Sequence, residues 1–247
     1  MRTASSLWSD EPYKGFRVEF DAFKDDYREQ LERSVSLVGQ SADFFSEVKA
    51  KLLLKIAARH FPDNSKLKVL DVGCGIGLTD DFIIGKFGFV SGVDVAPGVI
   101  AAARESHSEL KNSVEYQVYD GSRLPYPDGY FDIAFTICVL HHVNREQRTG
   151  FVSEMKRVTK KGGLNLIFEH NPYNPLTRYV VNRCPFDTDA ILLQARESRQ
   201  LFSLAGLETV ELSYFLFFPW RGRLFQAVGH WLRFLPFGAQ YVVVGRV

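Results

Sequence analysis

The chain has 247 residues, of which 46% are hydrophobic and 24% are charged, and its formal net charge at pH 7 is +1. This length suits one α/β domain, or one domain with a small cap, and the apolar content is sufficient for a sizeable core. The near-zero net charge argues against a nucleic-acid partner. No apolar run reaches the ~18 residues that a membrane span requires.

The three cysteines, Cys74, Cys138 and Cys184, are far apart and lack the spacing of metal ligands. We therefore expect them to be reduced, which favours the cytoplasm, and we expect no bound metal. Residues 1–6 contain no apolar stretch and do not resemble a signal peptide.

Residues 1–61 predict a helical arm or lid that precedes a core over residues 62–247. Apolar residues recur every three or four positions through much of this arm, and one helix is predicted over Ala42–His60. Tyr13 and Tyr27 are candidate substrate-binding residues that would close over the site from this arm. Packing against the face of a helix is the alternative role for both tyrosines.

Strands and helices alternate through the first part of the core. This alternation indicates βαβ units and a mostly parallel sheet, whose ligands bind at the carboxyl ends of the strands. The predicted strands are Leu67–Val72, Phe89–Val93, Val114–Tyr119, Phe131–Ile137 and Leu164–Phe168, and the predicted helices are Leu78–Lys86, Pro97 to about Leu110, and Arg145–Val158. Further along, we predict a helix over 197–205 and two more strands, over 207–212 and 240–246.

The stretch from Val69 to Gly77 is the most informative part of the sequence, because apolar β-formers lead there into three glycines at alternate positions. Such a turn has almost no side chains, so a ligand can lie directly against the main chain. The dinucleotide fingerprint G-x-G-x-x-G needs a glycine at its sixth position, where this chain has Leu78. This residue counts against a nicotinamide-dependent oxidoreductase.

Three carboxylates, Asp71, Asp94 and Asp120, stand at the ends of three successive predicted strands. Acidic groups placed in this way suit a ligand rich in hydroxyl and amine groups, and they do not suit a chain of phosphates. Capping of a helix or formation of a turn is the alternative role for each carboxylate.

With these motifs the chain resembles the class I S-adenosylmethionine-dependent methyltransferases, and the resemblance covers roughly residues 65–170. It implies an α/β fold with a Rossmann-like, doubly wound, seven-stranded sheet, mostly parallel with one antiparallel terminal strand. Helical and aromatic cap insertions are expected at 170–195 and 214–238. The motifs that carry the resemblance are Leu70–Gly77, Gly92–Asp94, Tyr119–Gly121 with Leu124 and Pro125, Phe131 and Asp132, Leu140–His142, and Val158–Gly163.

The resemblance also implies the cofactor, S-adenosylmethionine, and the residues that hold it. Asp71 is expected to serve the methionine end, Asp94 to accept hydrogen bonds from both ribose hydroxyls, and Asp120 to accept one from the adenine amine. Val95 and Leu124 are expected to enclose the purine. The full predicted cofactor set is Asp71, Gly73, Cys74, Gly75, Gly77, Asp94, Val95, Asp120, Gly121, Ser122, Leu124, Ile137 and Cys138.

His141, His142 and Glu169 are the candidate catalytic residues. The two histidines follow the fourth strand, where the family places its methyl acceptor, and a histidine can act as a general base because its pKa lies near neutral pH. Glu169 ends the fifth strand and could orient His141, a pairing that favours oxygen as the methylated atom. The alternatives are a purely structural role for the histidines, N- or C-methylation, and a non-catalytic cofactor-binding scaffold.

Asn171, Tyr173 and Arg178 are predicted to line the acceptor pocket, with a turn-rich connector as the alternative. Trp220 belongs to an aromatic block that we interpret as a substrate cover, a membrane-surface contact or a dimer contact. We expect a small-molecule or lipid- or glycan-linked acceptor, no nucleic acid, and a monomer or a homodimer.

Overall fold

The computed structural model describes residues 27–36, 39–188, 190–218, 229 and 231–247. Tyr13 and Trp220, two of the predicted substrate-binding residues, lie outside this part of the chain, and of Tyr27 only the backbone is described. The helices are α1 (Tyr27–Ser36), α2 (Ala42–His60), α3 (Pro97–Ser106), α4 (Arg145–Val158), α5 (Pro175–Val181) and α6 (Ala195–Leu204). The strands are β1 (Lys68–Val72), β2 (Phe89–Asp94), β3 (Val114–Val118), β4 (Phe131–Ile137), β5 (Thr159–His170), β6 (Glu208–Phe215) and β7 (Gln240–Arg246).

The seven strands form one sheet in the order β3-β2-β1-β4-β5-β7-β6. Pairing is parallel from β3 through to β5, whereas β7 runs antiparallel to both β5 and β6. The predicted seven-stranded sheet with one reversed terminal strand is therefore confirmed. Strand order reverses between β1 and β4, and in sheets of this kind that point opens a crevice for ligands.

The predicted helix over Leu78–Lys86 is wrong. This segment forms one short 3₁₀ turn over Asp80–Phe82, followed by further turns. Gly77 and Gly85 both have positive φ angles, of 80° and 75°, so they leave only seven residues between two breaks in helical geometry. A run of this length is too short to form a helix by local propensity.

Two further differences concern the ends of elements. β5 begins at Thr159, five residues before the predicted start, because its first residues continue the ladder with β4 across an irregularity at Phe131 and Ile133. The cap insertion over 170–195 contains α5 and a 3₁₀ turn over Pro185–Asp187. In the described part of the chain, no helix is both long and apolar enough to cross a bilayer.

The core lies on both faces of the sheet. On one face, Phe202 of α6 is fully buried among side chains of β1, β4 and β7. Gly245 of β7 makes room for it, since a Cβ at this position would lie 2.7 Å from the Phe202 ring. On the other face, α2 buries Leu53 and Ile56 against the sheet. This packing holds the strand ends, and therefore the site, in fixed relative positions.

Removal of the Phe202 ring should destabilise the protein strongly. We expect Phe202→Ala to lower the free energy of unfolding by about 3–5 kcal/mol, because the substitution leaves a cavity opposite a glycine that cannot fill it. Leu204→Ala is the matched control, since Leu204 lies on the same helix with 63% of its surface exposed. It should change stability by less than about 0.5 kcal/mol. Urea unfolding followed by circular dichroism measures the free energy of unfolding of both variants. Equal decreases in the two variants would contradict this account of the core.

Candidate functional site

The glycine turn after β1 depends on its glycines. Gly73, Gly75 and Gly77 all have positive φ angles, of 82°, 55° and 80°. A Cβ on Gly73 would lie 2.4 Å from Val139, and one on Gly77 would lie 2.6 Å from the Tyr116 hydroxyl. Neither position can therefore accept a side chain without displacing its neighbours, and the backbone stays bare where a ligand can approach it.

Hydrogen bonds connect this turn to the end of β2. The backbone N–H groups of Gly73 and Cys74 both donate to the Val93 carbonyl, at 2.7 and 3.1 Å. The Asp94 carboxylate accepts from the N–H of Gly75 at 3.0 Å with one oxygen and from the N–H of Ala96 at 3.0 Å with the other. Asp94 thus stabilises the turn through these hydrogen bonds, and it also faces the crevice.

A cavity of about 210 Å³, here called the main cleft, lies at the carboxyl ends of β1, β2 and β4. Eight residues of the predicted cofactor set line it: Asp71, Gly73, Cys74, Gly75, Asp94, Val95, Ile137 and Cys138. All three predicted catalytic residues are close by, since His141 and His142 line the cleft and Glu169 contacts His141. Val99, Tyr119 and Phe151 also line the cleft and were not predicted from the sequence.

The remaining predicted cofactor residues lie elsewhere. Asp120 is exposed and accepts hydrogen bonds from the backbone N–H groups of Ser122 and Arg123, both at 2.8 Å, so its carboxylate stabilises its own turn. Leu124 is only 2% exposed and packs in the core. The main cleft is not lined by Asp120 or Leu124, nor by Gly77, Gly121 or Ser122. The observed contacts of Asp120 therefore match its alternative role, which is formation of a turn.

The floor of the main cleft is acidic. Asp71 is 3% exposed, and its Oδ1 accepts no hydrogen bond from any described residue. Burial, together with the charges of Asp80 and Asp94, raises the pKa of Asp71 well above its usual range. Burial also raises the pKa of Asp80 to about 7, although the nearby Tyr116 hydroxyl and His107 oppose the shift. Buried carboxylates in this arrangement favour a cationic ligand group.

A second group of charged side chains lies on the cleft wall and is here called the histidine–carboxylate cluster: Glu169, His141, Asp187 and His142. His141 Nδ1 donates to Glu169 Oε2 at 2.6 Å, and its Nε2 donates to Asp187 Oδ1 at 3.2 Å. His142 Nε2 lies 3.3 Å from the same Asp187 oxygen. The structure therefore brings His141 and Glu169 together, as the sequence predicted, and adds a second carboxylate.

The second carboxylate changes the expected role of His141. Burial lowers the pKa of His141, but the charges and hydrogen bonds of Glu169 and Asp187 outweigh burial and raise this pKa to about 10. His141 is then protonated at neutral pH and has no lone pair with which to accept a proton. This arrangement argues against the predicted general-base role of His141. Burial and the charge of His141 lower the pKa of His142, and they lower that of His170 to about 4.

Asp187 was missed in the sequence because it lies 46 residues beyond His141 in an irregular loop. Its position depends on backbone contacts: the Asp187 N–H donates to the Cys184 carbonyl at 3.0 Å, and the Ile191 N–H donates to the His141 carbonyl at 2.8 Å. Arg148, itself buried, donates to the Ile191 carbonyl at 2.9 Å. The loop is thus fixed to the segment that carries both histidines.

The predicted acceptor-binding residues of the 170–178 loop point elsewhere. The buried Asn171 amide donates to the carbonyls of Pro236 and Gly238, at 2.9 and 2.8 Å, and so joins two segments of backbone. Tyr173 is 60% exposed and donates its hydroxyl proton to Gln194. Arg178 is exposed. These contacts correct the prediction, because they give Asn171 a structural role and place the other two side chains on the surface.

A second cavity, of about 190 Å³ and mostly apolar, adjoins the main cleft and is here called the apolar cavity. It lies among α1, α2, α5 and the residues that follow β6. Five residues line both cavities and form their shared wall: Leu31, Ser46, Lys49, Cys138 and His170. Cys138 has a φ angle of 56°, which is unusual for a residue other than glycine, and its N–H donates to the Phe168 carbonyl at 2.9 Å.

Residues 70–167 match a family model described as a methyltransferase domain. Ajmaline N-methyltransferase of Rauvolfia serpentina is 33% identical over 116 residues, which are 44% of this chain and 39% of the relative. A probable tocopherol O-methyltransferase of Oryza sativa subsp. japonica is 28% identical over 174 residues, 66% of this chain and 41% of the relative. The chain thus spans less than half the length of these relatives.

Solved structures share the fold. A SAM-dependent methyltransferase of Thermotoga maritima superposes with a TM-score of 0.63 at 20% identity, over 93% of this chain and 98% of that one. Magnesium protoporphyrin IX methyltransferase of Synechocystis, with bound SAH, superposes with a TM-score of 0.65 at 14% identity, over 93% of this chain and 98% of that one. The motifs in the sequence, the sheet order and these matches agree. Over residues 70–167 the chain is therefore similar to the methyltransferase domain of the class I S-adenosylmethionine-dependent methyltransferases, and its sheet has their fold.

Proposed function

We propose that this protein transfers a methyl group from S-adenosylmethionine to the hydroxyl of a small-molecule acceptor with a large apolar part. The observation that carries the proposal is the apolar cavity, which adjoins the main cleft at Cys138 and His170. When bound, the cofactor supplies a methyl group on a positively charged sulfur. The protein's own residues hold the two reactants next to each other and exclude water.

The main cleft fits the cofactor in three respects. The buried Asp71 oxygen without a hydrogen-bond partner among the described residues suits a cationic amino group. The bare glycine turn allows the backbone to approach the ligand closely. Asp94 lines the cleft, and carboxylate oxygens are suitable acceptors for the hydrogen bonds of ribose hydroxyls. Val95 and Tyr119 supply apolar surface for the purine beyond Asp94.

The acceptor's apolar part fits the cavity between α1, α2 and α5. Its wall is mostly apolar, with residues such as Val35, Phe45 and Val180. Polar groups come from Ser46, Lys49 and His170 at the shared wall, and from Asn174, Thr177 and Gln240 elsewhere. A relative from Synechocystis sp., 32% identical over 104 residues, is named 2-methyl-6-phytyl-1,4-hydroquinone methyltransferase. This name and that of the tocopherol O-methyltransferase support an acceptor with a polar head and a hydrocarbon tail.

Exposed aromatic side chains support a lipid-linked form of this acceptor. Trp231, Phe234 and Phe237 are 83%, 70% and 68% exposed, and Asn171 fixes the neighbouring backbone to the end of β5. Aromatic surface of this kind suits contact with a membrane surface, from which an apolar acceptor can enter. We infer that the protein acts in the cytoplasm as a monomer or homodimer at such a surface.

Oxygen is the atom that the site favours, because a hydroxyl acceptor must lose a proton and the histidine–carboxylate cluster lies on the cleft wall. Glu169 and Asp187 make this cluster anionic overall, so it stabilises the positive charge that the acceptor oxygen gains as it takes the methyl group and before its proton leaves to water. Nitrogen is the alternative, since other relatives are named N-methyltransferases. Mass spectrometry of the product, with acceptors that carry both groups, distinguishes the two.

Replacement of Asp94 should weaken cofactor binding. Asp94→Asn exchanges one acceptor oxygen for a donor and removes the charge, and hydrogen bonds to a charged group contribute about 1.5–3 kcal/mol. We therefore expect the Kd for S-adenosylmethionine, measured by calorimetry, to rise about tenfold or more. Asp128→Asn is the control, since Asp128 is a surface residue with a 78% exposed side chain. Similar affinities for the two variants would argue against the assigned role of Asp94.

Cofactor binding should depend on the protonation of Asp71. Because the pKa of Asp71 is raised, its carboxyl loses its charge well above the usual range as the pH falls. Affinity for the cationic amino group should be full above this raised pKa and should decrease as the pH falls through it. Asp71→Asn should bind weakly at every pH, whereas Asp80→Asn should keep the pH dependence. A flat profile for the parent protein would show that Asp71 does not contact the charge.

The acceptor's tail should determine its specificity. We expect phenols or alcohols with a chain of about ten carbons to have a kcat/KM at least about tenfold above that of their tail-free counterparts, since each buried CH₂ contributes about 0.8 kcal/mol. Val180→Phe should remove most of this preference, because Val180 lines only the apolar cavity. Tyr179→Trp adds bulk at the neighbouring exposed position and should leave the preference intact. Equal rates with and without a tail would refute this acceptor class.

A further inference from the structure

Three side chains of the histidine–carboxylate cluster have the arrangement of metal ligands. One ligand atom from each of His141, His142 and Asp187 lies within 4.8 Å of the other two. The Asp187 Oδ1 is 3.2 Å from His141 Nε2 and 3.3 Å from His142 Nε2. In a tetrahedral site with bonds of about 2.0–2.1 Å, the ligand atoms are about 3.3 Å apart. Two of the three pairs of ligand atoms therefore already have coordination spacing, and the third pair, between the two histidines, lies within 4.8 Å.

The chemical types of the three ligands point to a catalytic rather than a structural site. Two imidazoles and one carboxylate form the ligand set of catalytic zinc sites, in which a fourth position remains for water or substrate. All three residues line the main cleft, so the remaining position faces the space where the reactants meet. A divalent ion also balances the charge of the two carboxylates that converge here, Glu169 and Asp187.

Glu169 completes the site as an outer-shell partner. Metal-binding histidines usually donate their second ring N–H to a carboxylate or carbonyl, which fixes the ring and makes the ligand nitrogen more basic. His141 Nδ1 is bonded in this way to Glu169 Oε2, and Glu169 is fully buried. The hydrogen bond from the Ile191 N–H to the His141 carbonyl holds the Asp187 loop against the histidines. The arrangement is thus rigid as well as correctly spaced.

We propose that His141, His142 and Asp187 bind a divalent transition-metal ion such as Zn²⁺, which replaces the proton on His141 Nε2, released to water, and activates the acceptor hydroxyl. The sequence led us to expect no metal, because that expectation considered only the spacing of the cysteines. The ion withdraws electron density from the hydroxyl, the O–H bond breaks with its electron pair left on oxygen, and the proton passes to water. The activation step rests on the proposed function above, whereas ion binding does not.

The experiment uses the full chain without an affinity tag, dialysed against a chelator and titrated with Co²⁺, whose visible absorption reports its ligands. We expect one equivalent to bind and Zn²⁺ to displace it. Asp187→Asn, which preserves side-chain shape, and His142→Gln should abolish the absorption band, while far-UV circular dichroism shows that both variants remain folded. Glu169→Gln should weaken affinity about 10–100-fold. His60→Gln, at a histidine that contacts Arg246, is the control and should bind one equivalent.

Several outcomes would overturn the inference. These are no Co²⁺ band in the parent protein, a band that survives in folded Asp187→Asn, or a band lost equally in His60→Gln. Activity gives a separate test: methylation of a tailed hydroxyl acceptor at an unchanged rate after chelation would refute activation by the ion. Binding of Co²⁺ with the expected variant pattern, but without methylation of any tailed acceptor, would support the metal site and refute the proposed function alone.

Discussion

The hydrogen bonds between the glycine turn and the end of β2 determine the geometry of the main cleft. The Val93 carbonyl accepts from two successive N–H groups of the turn, and Asp94 accepts from a third. These bonds exist only because the glycines adopt positive φ angles, which aim the N–H groups at β2. A side chain at Gly73 would meet Val139, so the same bare backbone also fixes the approach of the segment after β4.

Two acidic regions face each other across the space that this turn creates. On the cleft floor, Asp71 and Asp80 are both buried, and burial together with the charge of Asp80 raises the pKa of Asp71. On the wall, Glu169 and Asp187 enclose His141. The carboxylates of both regions therefore favour cationic ligands. A positively charged cofactor and a divalent ion are both ligands of this kind.

The sequence predicted the parts of the molecule that local patterns specify. Alternating apolar strands and helices gave the sheet, and the carboxylates at strand ends gave Asp71 and Asp94. Asp120 shows the limit of such reasoning, since a carboxylate at a strand end serves equally well to cap its own turn. His141 shows another limit: its neighbour Glu169 was predictable from strand order, but Asp187 reaches it from an irregular loop whose course depends on tertiary hydrogen bonds. That single contact changes a candidate base into a protonated side chain or a metal ligand.

The candidate site extends beyond the segment that matches the family model. Residues 70–167 contain the glycine turn, Asp94 and both cluster histidines, whereas Glu169, His170 and Asp187 follow it. The apolar cavity is built largely from helices before and after that segment. In the proposed function, the shared domain binds the methyl donor and the flanking elements bind the acceptor. Asp187 contacts the histidines of the shared domain, so the proposal couples acceptor recognition and hydroxyl activation through one loop, and substitutions in that loop should alter both together.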